Sequence, residues 1–458
     1  MRRSIAGPLI LLVIGGLFLY RNLHPEVPIF DMLAQYWPFL LILWGLMRLT
    51  EAVLYRGQWR SGFSGGETAL IIFICIVGAG AWQAKDFGLH FNGRGLDLFG
   101  DSYDYPIDAK ASAAGMTRLV FDNPRGNIHV TGGDVTEVTV TGHKSIRTYK
   151  REEADRTNQS TPVEILPQGD RLVIRTNQDK APDNQRISDD LDVTIPRSMA
   201  VEARGNSGDD EVSDIQADVE LESNHGDLRL ARIGGNAKLS IGHSDAINIT
   251  DVRGKVDLDG HGSDLSFENI AGQVTVNGSY SGTLEFKNLA KPLDFEGVRG
   301  TELHVAAIPG TVHLDLSALT ATNVVGPVRF VARSRDIHME QFTQAIQIET
   351  DRGDIDLHPG KAPLSQIDAT TKNGAIELAI PPNAQFQLQG TVDRGEASND
   401  YGGPLIQENV NHRATIRGNV GDGPTITLQA NRGRITVGKE GANPEDAGKS
   451  LKDSEVKM

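Results

Sequence analysis

Three histidines, His225, His243 and His261, stand 18 residues apart, each beside a glycine. Four aspartates, Asp227, Asp264, Asp336 and Asp354, each precede a hydrophobic residue. Arg333, Arg335 and Asp336 are followed about one coil later by Asp351, Arg352 and Asp354. If residues one period apart lie side by side, the first set offers imidazoles to a metal ion. The second offers carboxylates to calcium, and the third sets carboxylates beside guanidiniums, where an acid or base could act on a substrate.

Each idea meets a physical objection, and for the third it is that charge pairs are expected on stacked coils in any case. Zinc requires nitrogens about 2.0–2.1 Å from the ion, whereas neighbouring strands lie roughly 4.8 Å apart. No carboxylate or cysteine recurs in the histidine column to complete a ligand set. Ala246, Thr283 and Glu302 interrupt the aspartate column, and the Gly-Gly-x-Gly-x-Asp repeat of calcium β-rolls is absent. Asp is a turn former on its own account. Arg352-Gly353-Asp354 spells a cell-attachment tripeptide, but it falls in a turn of the repeat. There is no Ser-His-Asp elbow, no His-Glu-x-x-His and no phosphate loop. The sequence therefore predicts no catalytic, cofactor-binding or metal-binding residues, and no enzyme.

The element that positions these residues is a repeat. Leu228, Ile247, Leu265, Leu284 and Leu303 hold one phase with steps of 18 or 19 residues. Within each unit apolar residues alternate, as in Val256 and Leu258, Leu265 and Phe267, Val274 and Val276. Alternation over four or five residues is the strand signal, and such runs are too short for helices. A fixed period near 20 marks a solenoid. One coil cannot bury its inward side chains alone, but stacked coils can. The expected fold class is an all-β parallel β-solenoid, β-helix-like, preceded by three short transmembrane α-helices.

The expected domains are a membrane region at 1–83, a linker at 84–116, the β-strand-repeat solenoid at 117–439, and a disordered tail at 440–458. The solenoid divides into two modules near 117–370 and 371–439, because IELAIPPNAQFQLQG echoes LDVTIPRSMAVEARG. Three apolar runs, Ile5–Tyr20, Leu33–Met47 and Thr68–Trp82, are the predicted spans. Arg2 and Arg3 precede the first, and Arg48, Arg56 and Arg60 separate the second from the third. The positive-inside rule then leaves everything after Gln83 outside. Residues 145–157 read as a short exposed helix or loop. Val163–Leu166, Leu172–Ile174 and Leu191–Ile195 read as antiparallel or loosely paired strands. The repeat becomes irregular over Ala290–Pro327, with Pro292, Pro309 and Pro327 at corners.

The chain has 458 residues and formal net charge −15, of which 1–83 contribute six Arg and four acidic residues. The remainder is strongly acidic, which argues against nucleic acid as a ligand. The lone Cys75 excludes an intrachain disulfide framework.

Two resemblances follow from particular residues. AGPLILLVIGGLFLYRNL and YWPFLLILWGLMRL, with Gly15, Gly16, Arg21, Asn22, Trp37 and Pro38, resemble the LiaF-like transmembrane region of bacterial envelope proteins. LVFDNPRGNIHVTGGDVTEVTVTG, with Gly126, Ile195-Pro196, Gly208-Asp209 and Gly226-Asp227, resembles a bacterial adhesin-like family of β-strand repeats, a domain of unknown function. Together they imply a multi-pass protein of the inner or cytoplasmic membrane with an extracytoplasmic C-terminal domain. Its partners would be the lipid bilayer through the N-terminal helices and a glycan, cell-wall or protein surface. Three functions compete: an adhesin or envelope contact module, a non-catalytic regulator or scaffold of an envelope-stress response, and an envelope polysaccharide-active enzyme.

Overall fold

The computed structural model describes residues 100–440 continuously, with separate positions between 39 and 97. The predicted spans and the tail beyond Glu440 lie almost wholly outside the described residues. Among those described, no helix is long and apolar enough to cross a membrane. Two compact units are distinguished. The smaller comprises Met1–Asp104, Ser145–Ser160 and Ala181–Ile187; the larger comprises Tyr105–Lys144, Thr161–Lys180 and Ser188–Met458.

In the smaller unit, His90–Asn92 and Gly95–Asp97 form an antiparallel pair. Helix α1 (Arg151–Ser160) opens with Glu152 and Glu153, acidic residues suited to the positive end of the helix. It buries Ala154 and Thr157, and Glu153 accepts a hydrogen bond from the Thr148 hydroxyl at 2.9 Å. The span expected to be a linker contains a 12-residue strand, Asp101–Ser112.

The larger unit is a stack of coils, each giving one short strand to each of two walls. In the first wall Arg118–Arg125, Ala200–Ser207, Val219–His225 and the first halves of Ala237–Val252 and Val256–Ile270 stack parallel in that order. In the second wall Ile128–Gly133, Asp210–Ser213, Leu228–Ile233 and the second halves of the same long strands do likewise. Apolar residues alternate inward from both walls into one core. Leu228 pairs with Ile247, Ile247 with Leu265, and Leu265 with Leu284, as the period predicts. Phe267 stacks on Phe286 with centroids 5.6 Å apart. A buried Leu, Ile or Phe contributes roughly 1.5–3 kcal/mol.

The corners explain the period. Where the first wall turns into the second, Gly226 has φ +137°, and a Cβ there would strike the carbonyl of Gly208 in the adjacent coil. Gly208 in turn faces the carbonyl of Gly126. At the return corner Asp214, Arg232, Asp251, Asn269 and Asn288 all take left-handed φ between 52° and 62°. Their side chains form a ladder: Asn288 Nδ2 donates to Asn269 Oδ1 at 2.7 Å, and Asn269 Nδ2 to Asp251 Oδ1 at 3.0 Å.

The irregular stretch is a reversal. The strand Glu302–Leu314 runs antiparallel through both walls, against Leu284–Leu289 and Leu293–Glu296 on one side and Ala318–Thr322 and Val325–Ser334 on the other. Leu303 therefore faces Phe295 in the first wall, while Leu314 takes the place beside Leu284. The assignment of Leu303 to the Leu228 column is thus corrected: the strand keeps its inward alternation but traverses the walls in the opposite sense. Beyond it the parallel stack resumes through Asp336–Glu340, Ile355–His358 and Ile376–Ile380.

Both ends depart from chain order. Arg171–Arg175 and the end of Arg186–Pro196 stack parallel on the outer side of the 118–133 coil. Glu164–Gln168 and Arg171–Arg175 pair antiparallel with each other, so the expectation of antiparallel or loosely paired strands holds for that pairing, whereas the parallel stacking of Arg171–Arg175 and of Leu191–Pro196 on the coil departs from it. At the other end the last strand, Thr425–Lys439, slots between the 367–380 coil and the earlier strand Phe386–Asn399.

Candidate functional site

Each set of candidate residues can be located on this frame. His225 and His243 are paired in register, and a bulge between Ile241 and Ser244 carries the chain past His261 in the next coil. All three are exposed at the corner. His243 lies 3.7 Å from Asp245, and no carboxylate joins the three rings into a cluster among the described residues.

The aspartates fasten coil to coil. Asp227 N–H donates to Asp209 Oδ1, and Asp227 Oδ1 accepts from Ala246 N–H, both at 2.9 Å. Asp264 Oδ1 accepts from Thr283 N–H at 2.7 Å. Asp336 Oδ1 accepts from Asp354 N–H at 2.9 Å, and Asp354 Oδ1 from Ala375 N–H at 2.7 Å. Each of these accepting carboxylates thus satisfies a backbone donor one coil further on, which tight turns otherwise leave unpaired. At Ala246, which carries no carboxylate of its own, the N–H is still taken up by Asp227 of the preceding coil. Of the arginines, Arg333 is exposed and Arg335 buried, with its Nη1 lacking a hydrogen-bond partner among the described residues. Gly353 takes φ +131° against the carbonyl of Arg335, so the Arg352-Gly353-Asp354 tripeptide is part of the corner.

The structure assembles a different group. On the outward face of the second wall, His338 lies opposite Asp356, and Glu340 opposite His358, on adjacent parallel strands. Asp356 bridges the two imidazoles: its Oδ2 is 2.8 Å from His338 Nδ1 and its Oδ1 2.9 Å from His358 Nε2. Glu340 Oε1 is 2.9 Å from His338 Nε2. The rings are 5.5 Å apart and tilted by 53°. Partial burial of His338 opposes its charged form, but Glu340 and Asp356 outweigh that and hold its pKa above the ordinary value. Ligand atoms of His338, Asp356 and His358 all lie within 4.8 Å of one another. The signal was present in the sequence as His-x-Glu followed by Asp-x-His one coil later, two alternating pairs in the same phase.

Charge is also buried away from this surface. Lys144 and Asp189 are almost completely inaccessible and form an ion pair of 3.7 Å. Lys144 Nζ also donates to the Thr161 carbonyl, and Gln178 Nε2 donates to Asp189 Oδ2 at 2.7 Å. Desolvation lowers the Lys144 pKa despite Asp189, and raises that of Asp189 despite Lys144. Asp210 occupies an inward position between Ile128 and Leu228, where burial and the neighbouring Asp209 push its pKa up to about 7.

Comparison with known proteins bears on both halves of the chain. Residues 6–92 match the LiaF transmembrane domain, and residues 116–438 match the Toastrack DUF4097 model. No curated protein matches. Among solved structures, a candidate cell adhesion protein from Clostridium sporogenes ATCC 15579 aligns at 9% identity, over 74% of this chain and 100% of its own, with a TM-score of 0.16. The LiaF match makes this a membrane-associated protein, and over most of its length the chain belongs to the Toastrack DUF4097 family.

Proposed function

We propose that this protein is anchored in the cytoplasmic membrane by its N-terminal region, in multi-pass fashion, and holds a non-catalytic solenoid outside it as an adhesin-like contact module. The observation that carries this reading is the in-register series of outward polar side chains repeated from coil to coil. On the first wall Arg118 pairs with Glu202 at 3.1 Å and Lys238 with Glu220 at 2.8 Å. Repetitive faces of this kind suit extended ligands, and a glycan, cell-wall or protein surface is the expected partner. The use of the corner aspartates as backbone acceptors supports a structural role for the carboxylates that an enzyme would need.

The LiaF match favours a second reading, in which the solenoid is the scaffold of a regulator of envelope stress. One experiment separates them. The full chain, reconstituted in liposomes, is cosedimented with purified cell-wall sacculi and with intact cells. Saturable binding supports the contact function. Absence of binding, together with an altered envelope-stress reporter in a deletion strain, would replace it with the regulatory one.

A further inference from the structure

We propose that His338, Asp356 and His358, with Glu340 beside them, form a surface site for a borderline divalent metal ion, with zinc as the representative. The backbone there is fixed before any ion arrives. The two strands are paired in register, and their inward residues Ile337, Met339, Ile355 and Leu357 are at most 1% exposed. Rigid strands with locked cores hold outward side chains more precisely than loops do. Residues two apart on a strand share a face, so each strand presents one imidazole and one carboxylate to the same patch.

The donor set selects the ion. Two imidazoles and a carboxylate suit zinc and its first-row neighbours, whereas calcium and magnesium prefer oxygen ligands throughout. Separations fit as well. The nitrogens that face Asp356 stand 2.8 and 2.9 Å from its oxygens. Ligands bound tetrahedrally at about 2.0–2.1 Å lie roughly 3.3 Å from one another, so a small outward shift of each side chain admits the ion. With His338 Nδ1 on the metal, its Nε2–H would donate to Glu340. That is the carboxylate–histidine arrangement that orients ligating imidazoles in metal sites. Glu340 is therefore a positioning residue and the other three are ligands. The fourth place is left to water from solvent, since the side chains are between 36% and 44% exposed.

The His225–His243 pair is an internal control, because it aligns imidazoles without a carboxylate between them. The test is isothermal titration of the metal-stripped full-length chain in detergent with zinc chloride, repeated with calcium chloride. The variants are H358A, D356N, E340Q and the double variant H225A/H243A, each checked by circular dichroism without metal. The expected result is a zinc event in the wild type and in H225A/H243A, its loss in H358A and D356N, and a weakening of roughly 10- to 100-fold in E340Q. Calcium should give no such event. The proposal is overturned if the wild type binds no zinc, if H358A and D356N bind as it does, or if the event disappears in H225A/H243A.

Discussion

Leu265 and Asp210 occupy equivalent inward positions of the second wall, yet one lies in an apolar column and the other is an acid. The column runs Ile128, Asp210, Leu228, Ile247, Leu265, Leu284. In the regular middle every neighbour in it is aliphatic, and the return corners repeat a left-handed polar residue, Arg232, Asp251, Asn269 and Asn288, from coil to coil. Near the N-terminal end the core instead holds Asp210 and the Lys144–Asp189 pair. Each of these two buried acids has a partner that offsets part of the cost of burial. For Asp189 the compensation is Lys144 and Gln178; for Asp210 it is Ser223, offset by the adjacent Asp209.

The largest expected effect comes from moving the acid to the middle. Leu265→Asp places a carboxylate among Ile247, Leu284 and Phe267 with no partner, and should abolish cooperative unfolding of those coils. Ser263→Asp, at the half-buried corner, should unfold nearly as the wild type does. Equal melting of the two variants would contradict the inward phase. Next in size is Lys144→Met. It leaves Asp189 buried without its cation, and a loss of about 3–5 kcal/mol is expected by chemical denaturation. A loss below about 1 kcal/mol, the worth of a surface pair, would mean that water reaches the site.

Asp210→Leu should go the other way. Folding raises the Asp210 pKa from 3.8 to about 7, so the folded state retains its proton where the unfolded chain has released it. Stability attributable to this group is greatest below the unfolded value and falls as pH rises towards 7. The variant should therefore gain little over the wild type near pH 4 and on the order of 4 kcal/mol above pH 7. A gain independent of pH would assign the effect to packing alone. The smallest effect is Tyr280→Phe. The hydroxyl is buried without a hydrogen-bond partner among the described residues, and burial raises its pKa. Its removal should leave stability unchanged or raise it by less than about 1 kcal/mol. A clear loss would reveal a partner such as a buried water.

How much of this was legible follows from which interactions are local. The period, the Leu228–Ile247–Leu265–Leu284 column and the glycine–aspartate corners are written in residues that repeat every 18 or 19 positions. The place of Leu303 is not legible, because a reversed strand keeps the same alternation and no local signal distinguishes it. The strand order at the ends was hidden for a related reason. Slotting 425–439 between 367–380 and 386–399 changes neighbours without changing which side chains point inward. The histidine–carboxylate cluster is written in the repeat as His-x-Glu and Asp-x-His, whereas the more conspicuous glycine-flanked histidines form a column without carboxylates.

The central claim is that the solenoid stands outside the cytoplasmic membrane, where a contact surface has something to touch. Cys75 is the sole cysteine, so a Cys75→Ser chain carrying Ser281→Cys at an exposed turn has one addressable thiol. Treating cells whose outer layers have been opened, but whose cytoplasmic membrane is intact, with a membrane-impermeant maleimide measures its side directly. The account predicts labelling before lysis equal to that after lysis; labelling that appears only after lysis would contradict it.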